Sequence, residues 1–179
     1  MRNMKFEKNY FSPLTSHFSP RKGFTLIELL VTFTLISIIT GIGLASFVSY
    51  SQRQVVVQAA SDFKQAVDLA RFNALSSVKP KACSGVLSDF KFNVCFNATC
   101  YNSGVDYEVI VGCGLDLSVL SKKLPQNVTF SNVVGSPNCT TLKFTPISGV
   151  VTGVPCEIFV NGYGNQIKVS IDLNGHASY

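Results

Sequence analysis

The chain has 179 residues, 46% of them hydrophobic and only 14% charged, which excludes a disordered segment and is low in charge for a plain soluble domain. Its length suits one ordinary domain with an appendage. Of the formal net charge of +5, Arg2, Lys5, Lys8, Arg21 and Lys22 against Glu7 place +4 in residues 1–23 and leave +1 for residues 24–179, so the basic balance gives no reason to expect nucleic-acid binding.

Residues 1–23 are polar and basic and are broken by Pro13 and Pro20, with no helix or strand periodicity. Residues 24–50 change abruptly to FTLIELLVTFTLISIITGIGLASFVSY, and no charged side chain stands between Leu29 and Gln52. A helix of about 20 apolar residues spans the roughly 30 Å hydrocarbon core of a bilayer. The basic residues precede it, so that side is expected to stay cytoplasmic. From Ser51 to Val78 there is neither proline nor glycine. Val56, Ala59, Ala60, Phe63, Ala66, Val67, Ala70 and Ala74 recur at spacings of three and four, while Asp62, Lys64, Gln65, Asp68 and Arg71 occupy the other side. That is the pattern of an amphipathic helix. Joined to the apolar run it predicts one helix over about 24–78, roughly 80 Å long, more than a compact domain of this size can bury. Lys79-Pro80 closes it, because proline disfavours helical geometry in the residue before it.

The remaining hundred or so residues read as β structure. Phe90, Phe92, Val94 and Phe96 alternate with Lys91, Asn93 and Cys95. Further short strands are expected at Tyr107–Val111, Val128–Phe130, Leu142–Phe144, Ile158–Val160 and Ile167–Ile171, with Gly162-Tyr163-Gly164-Asn165 as a hairpin loop. Lys122-Lys123 reads as a solvated loop. The fold class is therefore α+β: a long N-terminal helix and a C-terminal β-rich head of antiparallel sheets packed on it. The divisions are 1–23 as a polar N-terminal segment, 24–50 as the transmembrane half of the helix, 51–78 as its amphipathic half, and 79–179 as the head.

Six cysteines, Cys83, Cys95, Cys100, Cys113, Cys139 and Cys156, all lie beyond residue 80. An even number confined to one half of a chain points to disulfides and an oxidising, extracytoplasmic location. Six cysteines allow 15 pairings; the local candidates are Cys95 with Cys100 and Cys139 with Cys156. Zinc is the rival reading, but no CxxC or CxxH occurs, and His17 and His176 are remote in sequence. No cofactor or catalytic arrangement is visible. Asn97, Asn127 and Asn138 begin N-x-[ST] triplets that read as turns rather than glycan sites.

Function concentrates in Arg21-Lys22-Gly23-Phe24-Thr25-Leu26-Ile27-Glu28-Leu29-Leu30. This run resembles the cleavage and methylation site of type IV prepilins and type II secretion pseudopilins: basic residues, Gly-Phe, three mostly apolar residues, Glu, then a long apolar helix. The resemblance implies a type IV pilin-like fold. It also implies that a prepilin peptidase/methyltransferase cuts between Gly23 and Phe24 and methylates the new amine. Glu28 is the only charged side chain from Phe24 to Gln52, and a carboxylate in an apolar segment costs a few kcal/mol. In the family it is thought to meet the N-terminal amine of an adjacent subunit, with Leu26, Ile27, Leu29 and Leu30 packing between helices. The implied partners are other pilin or pseudopilin subunits, an inner-membrane assembly platform, and the lipid bilayer before assembly. The implied location is the cytoplasmic membrane, head outward, and then a surface or periplasmic filament. A plain membrane anchor would explain the apolar run but neither Glu28 nor the Gly-Phe junction. A secretory signal ending at Gly43-Leu44-Ala45 would have an overlong apolar core containing a glutamate. Many pilins have proline where Ala45 stands.

Residues Ala59–Leu75 resemble the helix segment of the GspH/FimT group of minor pseudopilins, as does the C-terminal Ile167–Gly175 strand. Some members of that group bind DNA through a C-terminal Gly-Arg-x-Arg pattern; the corresponding place here reads Gly175-His176-Ala177-Ser178, with both arginines missing. With little net charge after residue 23, the phosphate-driven part of DNA binding would be small. The readings that remain open are a minor pilin or pseudopilin, a DNA-uptake pilus subunit, and a membrane-anchored extracytoplasmic domain with a ligand-binding or catalytic role.

Overall fold

The computed structural model describes residues 23–95, 100–132 and 139–179, except for the side chains of Ala45 and Asn132. Arg21, Lys22, His17, Phe96, Asn97 and Asn138 lie outside the described residues. The architecture is α+β, with one helix followed by nine strands in two antiparallel sheets among the described residues. Helix α1 is Leu26–Leu75, two residues shorter at its start and three at its end than the expected 24–78. At the start, Thr25 is the cap: its Oγ1 accepts the Glu28 amide at 3.3 Å, and its carbonyl accepts the Leu29 amide at 3.1 Å. Threonine satisfies one of the amides that a helix start leaves without a partner, so the helix begins after it. At the end, the Val78 amide donates to the Asn73 carbonyl at 3.0 Å and the Ser77 amide to the Ala74 carbonyl at 3.1 Å, with Ser77 at φ +49°. These two bonds form a Schellman motif, which stops the helix at Leu75, five residues ahead of Pro80.

The chain divides into two units, one ending at Gly43 and the other Leu44–Tyr179. In the first, every helical residue described is exposed. Its polar side chains bond to their own helix: Thr32 Oγ1 donates to the Leu29 carbonyl at 2.9 Å, Thr34 Oγ1 to Val31 at 2.8 Å, and Ser37 Oγ to Phe33 at 2.8 Å. Such bonds let hydroxyl residues sit in an apolar environment without an outside partner.

In the second unit the periodic face is the core. Val56, Ala59, Ala60, Phe63, Ala66, Val67, Ala70 and Ala74 are all buried. Alanine at five of those eight places lets sheet residues approach the helix closely, and Phe63 fills the space between the sheets. Its ring lies 5.2 Å from Phe92, 5.7 Å from Tyr107 and 5.0 Å from Phe130, centroid to centroid. The first sheet, in order β3-β2-β1-β5-β6, consists of β1 (Asp89–Val94), β2 (Tyr107–Gly112), β3 (Asp116–Lys122), β5 (Thr141–Phe144) and β6 (Val151–Thr152). In β1 the alternation places Phe90, Phe92 and Val94 inward. The second sheet, in order β4-β7-β8-β9, consists of β4 (Val128–Asn132), β7 (Cys156–Gly162), β8 (Asn165–Ile171) and β9 (Ala177–Ser178).

β3, β6 and β9 were not expected. β3 takes in Lys122, which ends a strand instead of lying in a loop, and its pairing with β2 shifts register between Val109 and Ile110. The expected final strand stops at Ile171, because Asp172 turns the chain: its Oδ1 accepts the amides of Asn174 at 2.9 Å and His176 at 2.8 Å. The β7–β8 hairpin pairs Gly162 with Asn165, so its loop is the two residues Tyr163 and Gly164, at φ +51° and +73°. Two successive left-handed residues match the right-handed twist of the flanking strands. Gly162 meets the helix closely: a Cβ there would lie 3.0 Å from Val56 Cγ2 and 3.0 Å from the Asn127 carbonyl oxygen. The disulfides are Cys83–Cys113, Cys95–Cys100 and Cys139–Cys156, with Cα separations of 5.5, 5.3 and 5.7 Å.

Candidate processing and assembly segment

The site expected from sequence is the start of the helix. Gly23 and Phe24 precede the Thr25 cap, and Phe24 is 79% exposed. Among the described residues no atom stands within 4 Å of where a Gly23 Cβ would be, and its φ is not left-handed. Neither packing nor backbone conformation therefore requires glycine at position 23. Leu26, Ile27, Leu29 and Leu30 are all exposed, by 51% or more. An 18-residue stretch of the helix has a mean hydropathy of 2.1 with none of it buried, which makes it long and apolar enough to cross a membrane.

Glu28 occupies the third helical position, where a Thr-x-x-Glu sequence forms a capping box. The half of the box provided by Thr25 is formed. The Glu28 carboxylate itself has no hydrogen bond or ion pair with the described residues. A negative charge in the first turn of a helix gains about 0.3–1 kcal/mol from the helix dipole. Burial of the same charge in an apolar medium costs about 2.5–3.5 kcal/mol even on gentle scales. Capping alone therefore does not account for a glutamate here if the segment leaves water; a positive partner does.

Residues 18–44 match the family model described as the prokaryotic N-terminal methylation motif. The matched stretch holds Gly23, Phe24, Glu28 and the four exposed aliphatic residues. It supports a type IV pilin-like precursor, with the processing by prepilin peptidase and assembly with other pilins that such a motif implies, and it fits membrane anchoring. It points to a structural protein of pilin type rather than an enzyme. No curated protein and no solved structure matches the chain.

The cysteines lie elsewhere, in the Leu44–Tyr179 unit. Cys83–Cys113 ties the segment after the helix to the end of β2, and Cys139–Cys156 ties the start of β7 to the segment before β5. Cys95–Cys100 closes a loop beside a residue that the sequence reading missed, Glu108 in β2. Its side chain is fully buried. The carboxylate accepts the amides of Tyr101 at 2.7 Å and Asn102 at 3.3 Å, and the side-chain amides of Asn102 and Asn93 at 3.4 Å each. Asp106 likewise accepts the Leu124 amide at 2.7 Å. The available signal was Asp106-Tyr107-Glu108 at the start of an apolar strand, since a charge in such a run is kept only where donors converge on it. Burial, together with Asp62 and Asp106, pushes the Tyr107 hydroxyl up to about 12.

Proposed function

We propose that the chain is a minor pilin or pseudopilin of the GspH/FimT type, acting by assembly rather than catalysis. In this reading residues 1–23 are a leader removed after Gly23, and Phe24 becomes the methylated N-terminus. Residues 24–50 cross the membrane and later form the filament core; residues 51–78 and 79–179 form the extracytoplasmic part. Glu28 is the assembly charge. The observation that carries the reading is this carboxylate, without a partner among the described residues, at the third position of an apolar helix and just after the Gly-Phe junction of the matched motif. Cleavage after Gly23 creates an amine that can pair with it on a neighbouring copy, and only one axial offset between helices brings the two charges together. The exposed Leu26, Ile27, Leu29 and Leu30 are the packing surface. A DNA-uptake role is disfavoured by Gly175-His176-Ala177-Ser178, where no arginine stands.

The test has two steps. Mass spectrometry of the protein from its native cells should find N-methylated Phe24 at the terminus; any other terminus refutes the reading. Glu28→Ala should then insert and be cut normally, yet enter filaments roughly tenfold less or worse, a loss of about 1.4 kcal/mol or more. Deleting the gene and scoring surface fibres, protein secretion and transformation in parallel identifies the system.

A further inference from the structure

Within the Leu44–Tyr179 unit, the helix just past its apolar run and the β7–β8 turn enclose a cleft of about 450 Å³, whose walls include Tyr50, Gln52, Arg53, Tyr163 and Asn165. Arg53 is the first charge after Glu28, with 24 uncharged residues between them. It is exposed. The ion pairs among the described residues are Lys64–Asp68, Lys91–Asp116 and Lys168–Glu157, so Arg53 faces no carboxylate. Immediately before it, Phe47, Val48 and Tyr50 are exposed. An exposed apolar edge therefore runs directly into a cation that has no ion pair among the described residues.

The opposite wall is built at a cost. Tyr163 takes a left-handed conformation, φ +51°, at the first place of a two-residue turn where Asn, Asp or Gly is the usual choice. Its hydroxyl donates to the Gln126 carbonyl at 3.2 Å, which holds the ring in place, and Asn165 Nδ2 donates to the Tyr163 carbonyl at 3.1 Å. The strand end that leads into the turn lies close to the helix, since a Cβ at Gly162 would stand 3.0 Å from Val56 Cγ2. The strained turn thus holds the Tyr163 ring in the wall of the cleft that Arg53 also lines.

We propose that this cleft binds the phosphate of an anionic phospholipid headgroup in the extracytoplasmic leaflet while the chain is membrane-inserted. The inference rests on the reading of residues 24–50 as a bilayer segment. A guanidinium presents a planar fork of donors that fits phosphate oxygens in pairs. Tyrosines favour the headgroup level, with the ring towards lipid and the hydroxyl towards water. The bound lipid would fix the height of the head above the membrane before a filament takes the subunit up.

The test uses the full chain in phosphatidylcholine vesicles with or without phosphatidylglycerol. Phosphatidylglycerol should slow amide exchange across Tyr163–Asn165. Arg53→Gln should retain anionic lipid about fivefold less by native mass spectrometry, the loss of roughly one basic contact at a membrane surface. Arg53→Lys should recover part of it, and Arg71→Gln, outside the cleft, should change nothing. If the chain floats with the vesicles but exchange ignores phosphatidylglycerol, or Arg53→Gln retains lipid like the parent, the headgroup site is refuted and the bilayer reading survives. A chain that does not float refutes both. Equal protection by inorganic phosphate in neutral vesicles refutes a lipid as the ligand.

Discussion

The two stretches of α1 are equally apolar in purpose and opposite in outcome. Residues 56–74 direct an Ala-rich face into a core of two sheets, where Val56, Ala60, Phe63, Val67, Ala70 and Ala74 have no exposed surface. Residues 26–43 carry larger aliphatic side chains and bury none of them. The glutamates differ in the same way: Glu108 is fully buried and receives four hydrogen bonds, whereas Glu28 receives none from the described residues. A self-satisfied region answers to the stability of one chain. A region with unsatisfied apolar surface and charge answers to what lies outside the chain. Substitutions in the two regions should therefore be read by different assays, and each prediction below fails if the assays do not separate.

The largest effect is expected at Phe63, which touches both sheets. Phe63→Ala removes a ring with no exposed surface and three aromatic neighbours. It should lower unfolding stability by about 3–5 kcal/mol in denaturant titration, a large share of the roughly 5–15 kcal/mol that holds a domain folded. The proposed cleavage after Gly23 should be unaffected. Leu30→Ala should behave the opposite way, leaving the denaturation midpoint unchanged. If Leu30→Ala destabilised the Leu44–Tyr179 unit, the contrast between regions would collapse.

Glu108→Gln tests the satisfied glutamate. The amide group is nearly isosteric, but one oxygen becomes an NH₂ facing the Tyr101 or Asn102 amide, donor against donor. Loss of hydrogen bonds to a charged group should cost about 2 kcal/mol, with faster amide exchange concentrated at Tyr101 and Asn102. Uniformly faster exchange throughout the unit would mean that Glu108 does not hold the 100–105 loop in particular.

The buried face of α1 was legible because helical periodicity is strong over several turns and a single core reads it. β1, β2 and the β7–β8 hairpin were legible for a similar reason: alternation or a continuous apolar run ends at glycine, asparagine or cysteine. β3 was not, because Asp116–Lys122 is an edge strand with a register shift and polar residues on both faces, so no alternation survives. β6 and β9 are two residues each, set by the partner strand rather than by their own sequence. The partner of Cys83 had no local signal either, since Cys113 comes within 5.5 Å only through the folding of β1 and β2. The methylation motif was legible from its order of residue types, and residues 18–44 match the family model of that motif. Its geometry adds the Thr25 cap and the absence of any packing need for Gly23.

The smallest effect tests the upper end of α1, where the stop signal was misplaced. Proline at 80 suggested an end near Val78, yet the helix ends at Leu75 because Ser77 adopts the left-handed conformation that closes a Schellman motif. Serine is a poor choice there: its Cβ is strained at φ +49°, and its buried hydroxyl has no hydrogen-bond partner. Ser77→Gly removes both penalties and keeps the backbone bonds to Asn73 and Ala74. Glycine is the usual residue at this position, although it also loosens the unfolded chain, which takes back part of the gain. The net expectation is a stabilisation of about 1 kcal/mol, seen as a rise of a few degrees in the melting temperature. Ser77→Ala separates the two causes. It removes the hydroxyl and keeps the Cβ, so it should recover only part of the gain; equal gains for both variants would assign the effect to the hydroxyl and not to the backbone.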